Sequence, residues 1–334
     1  MFCTVVLVAL LGLYLVLWAP NTFEGDRFIT VSKGESFKQV TDSLESAGIL
    51  RNRTLFDVAG RVLGLTTKMQ IGKYRFKSGS SNTDILENLR NGMTLVSITV
   101  TIPEGLRATR HAKIFTRLLG IDSVRFMSFV YDTLFIRSLG ISSNSLEGYL
   151  LPNTYEFYWQ TDEVDIIKMM VSELSNVLND SLREKAAAWQ LSVHEVLTLA
   201  SIVEAETAVD SERAVVAGVY HNRLKKRMRL EADPTIQYIL EDGPRRLRYS
   251  DLRRESPYNT YRRYGLPPGP INNPGKESII AVLFPVRHKY LFFVANGEGG
   301  HAFTRTFAEH RLAIRVLRKK RVEQQLATQP GVSN

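Results

Sequence analysis

The sequence predicts an α+β protein built from an N-terminal membrane helix, a small α+β domain and a larger α+β domain. Three observations support this prediction. Residues 1–23 carry no charged side chain, short alternating runs are interspersed with helical runs up to residue 102, and helical patterns dominate from residue 107 onwards. A chain of 334 residues with 44% hydrophobic content can also bury the cores of two domains.

The first apolar run predicts a membrane anchor. Phe2 to Ala19 is rich in Val and Leu and is close to the roughly 20 residues that span a bilayer. A cleaved signal peptide is the alternative, but its apolar region is normally shorter, and no small-x-small cleavage site precedes Pro20. We therefore expect an uncleaved anchor over residues 1–20 and a linker over 21–27. The single cysteine, Cys3, lies in this run, which excludes intrachain disulfide bonds.

The small domain is predicted over residues 28–102. A strand at 28–31 leads through a turn into a helix whose buried face carries Phe37, Val40 and Leu44, and Gly48 can end that helix. The pattern that follows predicts a helix at 55–63, a strand at 71–76, a helix at 83–90 and a strand at 96–102.

The larger domain is predicted over residues 103–325, with a flexible tail over 326–334. The Pro-, Gly- and Tyr-rich stretch 233–275 predicts a rigid loop, because aromatic and β-branched residues alternate with its prolines. The other predicted elements are helices within 107–140 and at 164–178, 193–206 and 211–227, a turn at 146–154, a strand at 290–294, a tight turn at 297–300 and a helix from about 306.

The segment 192–207 carries the strongest functional signal. Ser192 and Glu195 fit a capping box that starts a helix, and the body of that helix is almost wholly apolar. Glu204 and Glu206 follow where a folded chain normally places hydrophobic groups. A carboxyl group in such surroundings loses solvation of its charged form, so its pKa rises and it can act as a general acid. Alternatively, both glutamates lie past the frayed helix end and are solvated.

The spacing of these two glutamates limits the chemistry. Residues two positions apart on a helix are separated by roughly 200°, so Glu204 and Glu206 cannot both point into one cleft. If the chain cleaves a glycosidic bond, one of them works alone or with a partner from elsewhere.

The sequence lacks the motifs of several classes of site. The six histidines are scattered without metal-ligand spacing, and no Gly-x-Ser-x-Gly elbow or complete phosphate loop occurs. We therefore predict no metal and no cofactor.

Positive charge is concentrated in the second half of the chain. Seven arginines lie between Arg245 and Arg263, and the stretch from Arg311 to Arg321 is also basic. Such clusters can bind nucleic acid, anionic lipid or a carboxylate-bearing polymer, or can be solvated surface. A membrane anchor argues against nucleic acid as the partner.

Polar residues are dense around 222–224 and 233–238. The alternative to a binding role is structural, with Asp233 capping a helix that has Pro234 at its first position. Tyr258, Tyr261 and Tyr264 can either stack on sugar rings or pack the loop, and composition does not separate these.

A series of motifs resembles one enzyme family, the YceG-like endolytic murein transglycosylases (MltG). The matching motifs run in order along the chain: Ile102-Pro103-Glu104-Gly105, Glu147-Gly148, Pro152-x-Thr154-Tyr155, Ala200-Ser201-Ile202-Val203-Glu204-x-Glu206-Thr207, Asn222-Arg223-Leu224, Met228-x-Leu230, Asp233-Pro234-Thr235, Ser256-Pro257-Tyr258-Asn259-Thr260-Tyr261, Gly265-Leu266-Pro267-Pro268-Gly269-Pro270-Ile271 and Gly299-Gly300-His301-x-Phe303. Lys226-Arg227 and Glu231 depart from the family pattern.

The resemblance implies an architecture and a location. The small domain is expected to be a LysM-like glycan-binding domain, and residues 103–325 are expected to form the YceG-like catalytic domain. A single-pass anchor would hold the enzyme in the bacterial inner membrane, with its catalytic part on the periplasmic, outer side. Expected partners are peptidoglycan glycan strands, the membrane and cell-wall synthases.

The resemblance also implies site residues. Glu204, the first glutamate of its motif, is the expected catalytic acid/base. The expected substrate-binding residues are Glu147, Glu206, Asn222, Arg223, Asp233, Thr235, Tyr238, Asn259, Tyr261 and His301.

The implied reaction is lytic cleavage of the MurNAc–GlcNAc β-1,4 bond, leaving a 1,6-anhydro-MurNAc end and terminating the elongation of nascent strands. One carboxyl group suffices, since the substrate supplies its own nucleophile, whereas ordinary glycosidases typically need two. Two alternatives remain: a non-catalytic glycan-binding scaffold, or a conventional retaining hydrolase that recruits another carboxylate such as Glu147.

Overall fold

The computed structural model describes residues 2–67, 69–241 and 243–328, and it has the α+β fold that the sequence predicts. The described chain divides into two units. The first contains the residues up to Val100 together with Lys113–Ser123 and Thr154–Ile166; the second contains Thr101–Ala112, Val124–Asn153 and the residues from Ile167 onwards. The domain limits 28–102 and 103–325 stay a prediction.

The helices of the described residues are α1 Phe2–Leu17, α2 Phe37–Ser46, α3 Arg53–Val62, α4 Asn82–Asn91, α5 Ala108–Leu119, α6 Ser123–Tyr131, α7 Thr133–Ser138, α8 Glu163–Val177, α9 Asp180–Ala188, α10 Val193–Glu206, α11 Asp210–Lys225, α12 Asp233–Ile239, α13 Lys276–Leu283 and α14 Phe307–Thr328. The strands are β1 Arg27–Val31, β2 Gly72–Phe76, β3 Ile98–Thr101, β4 Thr154–Phe157, β5 Phe292–Ala295 and β6 His301–Thr304. They pair as β1 with β2, β3 with β4 and β5 with β6.

The first unit is built on a strand–helix–helix–strand arrangement. β1 and β2 pair antiparallel, with Ile29 opposite Tyr74. Val40 and Leu44 are fully buried, as the helical pattern predicts, and they pack in one core with Tyr74 and Phe56.

Helix α1 joins this unit directly. Leu17 is buried in the core of the first unit. Asn82 donates from Nδ2 to the carbonyl of Val16 at 2.7 Å, and Thr83 donates from Oγ1 to the carbonyl of Leu17 at 2.9 Å. The segment predicted as a linker begins with Asn21, which is 2% exposed and donates to the carbonyl of Ser80 at 3.0 Å.

No single helix among the described residues is long and apolar enough to cross a membrane. The apolar stretch Cys3–Leu17 of α1 is shorter than that length. One bent pair, α9 and α10 meeting at 86°, passes by length and composition alone.

Helix α10 forms the centre of the second unit. Ser192 caps it: its hydroxyl accepts from the backbone of Glu195, and the carboxylate of Glu195 accepts from the backbone of Ser192 at 2.8 Å. The predicted capping box is therefore confirmed. Every residue from Val196 to Val203 is buried, and the helix packs against α11, α12 and α13.

The observed elements differ from the predicted ones in a few places. Strands β4 and β6 and helices α9 and α13 were not predicted, and the strand predicted at 290–294 lies at Phe292–Ala295. The stretch predicted as a loop from 233 begins with helix α12. The N-cap residue is Ala232 and no side chain caps the helix, so the predicted cap by Asp233 is wrong. Residues 326–328 of the predicted tail belong to α14, and residues 329–334 lie outside the described residues.

Candidate active site

The C-terminal end of α10 places its two glutamates in different surroundings. The side chain of Glu204 is only 7% exposed. Its Oε2 accepts a hydrogen bond from the backbone of Gly275 at 3.1 Å, and its Oε1 lies 3.5 Å from Nη2 of Arg213. Glu204 is therefore held as an acceptor by two donors, and the solvated alternative is wrong for it.

Arg213 links Glu204 to further carboxylates. Its Nη2 lies 3.4 Å from Oε2 of Glu104, and its Nη1 lies 3.1 Å from Oδ1 of Asp210. Burial raises the pKa of Glu104, and the neighbouring Glu204 adds to this effect. A Cβ at position 275 would lie 2.0 Å from the carboxyl carbon of Glu104, so a larger residue there would displace the Glu104 side chain.

Glu206 lies in the wall of a cavity of about 410 Å³. Its Oε1 accepts a hydrogen bond from the hydroxyl of Tyr220 at 2.6 Å. Burial raises the pKa of Glu206 to about 7, although the Tyr220 hydrogen bond acts in the opposite direction. A substantial fraction of this carboxyl group is therefore protonated near neutral pH.

Four other predicted site residues line the same cavity: Arg223, Asp233, Tyr261 and His301. Together with Glu206, they come from separate motifs of the sequence. The Tyr261 hydroxyl donates to Oδ1 of Asp233, and burial raises the pKa of Tyr261, so the phenol stays a donor.

The side chains of Arg223 and His301 in this cavity are held by contacts with other protein groups. Arg223 donates from Nε to the carbonyl of Leu291 at 2.7 Å and from Nη1 to the carbonyl of Leu230 at 2.8 Å. His301 Nδ1 lies 2.6 Å from Oε2 of Glu212. Because three phenylalanines, Phe292, Phe293 and Phe307, also line the cavity, it combines apolar faces with polar groups.

Three predicted site residues bind the protein's own backbone or buried groups instead of lining this cavity. Asn222 donates to the carbonyls of His288 at 2.9 Å and Tyr290 at 3.0 Å. Thr235 is fully buried and donates to the carbonyl of Ala232 at 2.7 Å. Asn259 is fully buried and donates to the carbonyl of Arg254 at 2.7 Å. These side chains shape the loops around the cavity.

The remaining two, Glu147 and Tyr238, line a different cavity of about 590 Å³. Oε1 of Glu147 accepts from the backbone of Ala108 at 2.9 Å and from Nδ2 of Asn273 at 2.8 Å. Burial raises the pKa of Glu147 to about 7. Glu147 and Glu206 thus do not face each other across one cavity.

No metal site accompanies these residues in the part of the chain that the structure describes: no group of three or more His, Cys, Asp or Glu side chains is placed to hold an ion.

Comparison with known proteins decides the family. Residues 29–316 match the YceG-like family. The chain belongs to the YceG-like family. The resemblance drawn from its motifs is therefore confirmed.

Named proteins with known sequences are similar to this YceG-like chain over most of its length. An endolytic murein transglycosylase of Bacillus subtilis (strain 168) is 31% identical over 300 residues, which cover 85% of this chain and 83% of that protein. An endolytic murein transglycosylase of Streptococcus pneumoniae serotype 2 is 28% identical, and the match covers 85% of this chain and 57% of that protein.

The fold is also similar to a solved structure. The crystal structure of a YceG-like protein from Listeria monocytogenes matches this fold with a TM-score of 0.62, and the match covers 87% of this chain and 99% of that one. The two sequences are 29% identical.

Four residues around the candidate site of this YceG-like protein were not predicted from its sequence. Tyr220 and Glu212 contact predicted site residues at the cavity, Arg213 contacts Glu204, and Glu104 contacts Arg213. Glu104 lies in a motif already recognised, so its motif was a usable signal. Tyr220 and Arg213 lie on a helix whose pattern does not distinguish them from packing residues.

Proposed function

We propose that this protein is a lytic transglycosylase that cleaves the MurNAc–GlcNAc β-1,4 bonds of murein glycan strands from within the strand. Family membership and two relatives named endolytic murein transglycosylase support this reaction class. One observation carries the site: the Glu206 carboxyl, with a pKa raised to about 7, lies in the wall of a cavity lined by the residues of several family motifs.

Glu206 is our candidate for the catalytic acid, in place of the Glu204 that the sequence favoured. Glu206 faces the cavity, whereas Glu204 is not in its wall and is held by a guanidinium and a backbone N–H. A general acid must reach the substrate and carry a proton at the working pH. Glu206 meets both requirements, because it lies in the cavity wall and its pKa is raised to about 7.

The reaction then needs one carboxyl group and no water. Protonated Glu206 donates its proton to the glycosidic oxygen as the bond from that oxygen to C1 of MurNAc breaks. The C6 hydroxyl of the same MurNAc attacks C1, and its proton passes to the Glu206 carboxylate. The anhydro ring is closed, the GlcNAc end leaves with a hydroxyl group, and the acid is restored.

The neighbours of Glu206 suit the charge changes in this cycle. The Tyr220 hydroxyl, 2.6 Å from Oε1, stabilises the carboxylate that exists between the two proton transfers. Phe292 and Phe293 offer apolar faces for a sugar ring, and Asp233 with Tyr261 offers hydrogen bonds to its hydroxyl and amide groups. Such a mixture of aromatic and polar groups is typical of small-molecule sites.

We further propose that α1 anchors the enzyme in the bacterial inner membrane with both units on the periplasmic side. The helix has no charged residue, and Val5, Leu7 and Val8 are each more than 60% exposed, at 63%, 69% and 66%. The strand–helix–helix–strand part of the first unit is our candidate for a LysM-like glycan-binding domain. Cell-wall synthases are the expected protein partners, since the cut would end the growth of a nascent strand.

Mass spectrometry of products from purified murein strands tests the reaction and the residue together. We expect 1,6-anhydro-MurNAc ends from the full-length protein, and a rate lower by about 10²- to 10⁴-fold in Glu206→Gln, the usual contribution of a general acid. Glu204→Gln is the matched control on the same helix, and we expect it to keep most of the activity. A loss confined to Glu204→Gln would return the role to Glu204.

The same assay separates the alternatives. Reducing ends in place of anhydro ends would identify a hydrolase and reject the lytic mechanism. Binding of strands without any cleavage by the intact protein would identify a glycan-binding scaffold.

A further inference from the structure

A second cavity of the catalytic unit lies near the opposite end of α10 from Glu206. It has a volume of about 590 Å³, and His194, from the first turn of α10, is in its wall. Helix geometry puts the twelve residues from His194 to Glu206 at roughly 18 Å along the axis. A group bound here is therefore remote from the bond that Glu206 would cleave.

This cavity contains a cation that the protein does not neutralise. Arg137 lies in its wall and is exposed. Within residues 2–67, 69–241 and 243–328, its guanidinium makes no ion pair and no hydrogen bond. An arginine with five free N–H donors is suited to bind a carboxylate through two parallel hydrogen bonds.

The one acidic side chain in the wall is mostly uncharged below neutral pH and then does not repel an anion. Glu147 is buried, and both of the donors described above contact its Oε1. Because burial raises its pKa to about 7, it is mostly uncharged below that pH. A protonated carboxyl group can donate a hydrogen bond to a bound carboxylate.

Another part of the wall is aromatic and is held by contacts within the protein. The rings of Tyr238 and Tyr258 lie 4.8 Å apart, and the guanidinium of Arg107 lies 4.2 Å from the Tyr238 ring on the protein side. His194 Nε2 donates to the carbonyl of Pro268 at 2.8 Å, and its Nδ1 lies 2.8 Å from the hydroxyl of Tyr149. A preformed wall of this kind loses little entropy when a ligand binds.

We propose that this cavity binds a carboxylate of the murein strand at a position away from the cleaved bond, with Arg137 as its direct contact. The inference rests on the proposed function, because that function supplies a carboxylate-bearing polymer as substrate. The carboxylate can belong to a stem peptide or to the lactyl group of MurNAc. Binding energy from such a remote group can serve to position the bond at Glu206.

Three ligands test the proposal on the full-length protein that carries both Glu204→Gln and Glu206→Gln, so that neither candidate acid can cleave the strands during the binding measurement. They are peptide-bearing glycan strands, strands stripped of peptide by an amidase, which retain lactyl carboxylates, and chitin oligosaccharides, which have neither. We expect Arg137→Gln to weaken binding of a carboxylate-bearing strand by about tenfold or more, as for hydrogen bonds to charged groups, and to leave chitin binding unchanged.

The pattern across ligands identifies the source of the carboxylate. The lactyl carboxylate is free only in stripped strands, because in peptide-bearing strands it forms the amide bond to the stem peptide. Weakening confined to peptide-bearing strands therefore assigns a stem-peptide carboxylate, weakening confined to stripped strands assigns the lactyl group, and weakening of both shows that the cavity accepts either carboxylate. Arg318→Gln, an exposed arginine of α14, is the matched control and should bind all three ligands as the parent does. A thermal melt of Arg137→Gln checks that it is folded.

Two results would overturn the proposal: equal binding of murein ligands by Arg137→Gln and its parent, or an equal loss for chitin. The proposed function fails separately if the full-length protein without any substitution produces no anhydro ends.

Discussion

Glu204 and Glu206 have the same side chain, but they contact different groups. Glu204 is held by Arg213 and Gly275, and Glu206 is buried against Tyr220 at a cavity. The helical rotation between them predicts that they face different ways, and the structure agrees. The rotation alone does not say which one meets the substrate.

That choice depends on partners that are distant in sequence. Arg213 follows Glu204 by nine residues and Tyr220 follows Glu206 by fourteen, on a neighbouring helix. Their contacts arise from how α10 and α11 pack, which no local pattern specifies. The motifs did predict five residues of the cavity wall, because those side chains lie in short polar segments that folding brings together.

The pH dependence of cleavage should report the Tyr220 hydrogen bond. Since the pKa of Glu206 is raised to about 7 and the acid form is required, activity should fall as the pH rises above 7. Tyr220→Phe removes a hydrogen bond that lowers this pKa, so we expect the alkaline limb to move to higher pH. The rate should fall about tenfold or more, because the carboxylate loses a stabilising donor.

The measurement is kcat/KM against pH for the parent, Tyr220→Phe and, as a control, Tyr264→Phe, whose side chain is 66% exposed. An unchanged profile in Tyr220→Phe would mean that Glu206 is not the acid.

At the scale of elements, helices were predicted better than strands. The helices around residues 37, 193 and 307 carry capping residues or a continuous apolar face, and these signals are local. β4 and β6 have four residues each, and their partners are set by folding. β4 pairs with β3, more than fifty positions earlier in the chain, so its pairing leaves no trace in a short window.

The capping box of α10 gives a prediction about stability. Ser192→Ala removes the hydroxyl that accepts from the backbone of Glu195 at 3.2 Å, and we expect it to lower the free energy of unfolding by about 1 kcal/mol. Cleavage at 25 °C should be unaffected, because Glu206 lies at the other end of the helix. Urea denaturation compares this variant with Ser211→Ala, a change at an exposed serine; equal stability of the two would show that the cap contributes nothing.

At the scale of the whole molecule, the first unit is assembled from separate parts of the chain. The segments Lys113–Ser123 and Thr154–Ile166 join residues that precede Val100. Sequence patterns define contiguous segments, and they do not indicate that a later segment packs against an earlier domain. The pairing of β3 with β4 is the local expression of this arrangement.

The junction between α1 and the first unit makes truncation a sharp test. A chain starting at residue 15 keeps the carbonyls of Val16 and Leu17 that accept from Asn82 and Thr83, whereas a chain starting at residue 22 loses them together with Asn21. Both truncations should release the protein from membranes. Only the chain that starts at residue 22 should have a lower melting temperature, as measured by circular dichroism. Equal melting temperatures of the two chains would show that the junction does not stabilise the unit.

If α1 lies in lipid as proposed, the same junction limits how far the first unit can extend from the lipid surface. Pro20 pairs with Ser81, so the polypeptide passes from the apolar helix into folded protein with almost no slack. With α1 embedded in lipid, the first unit would lie directly above the headgroups and could not move far into the cell wall. Any glycan bound by the first unit would then have to lie close to the membrane surface.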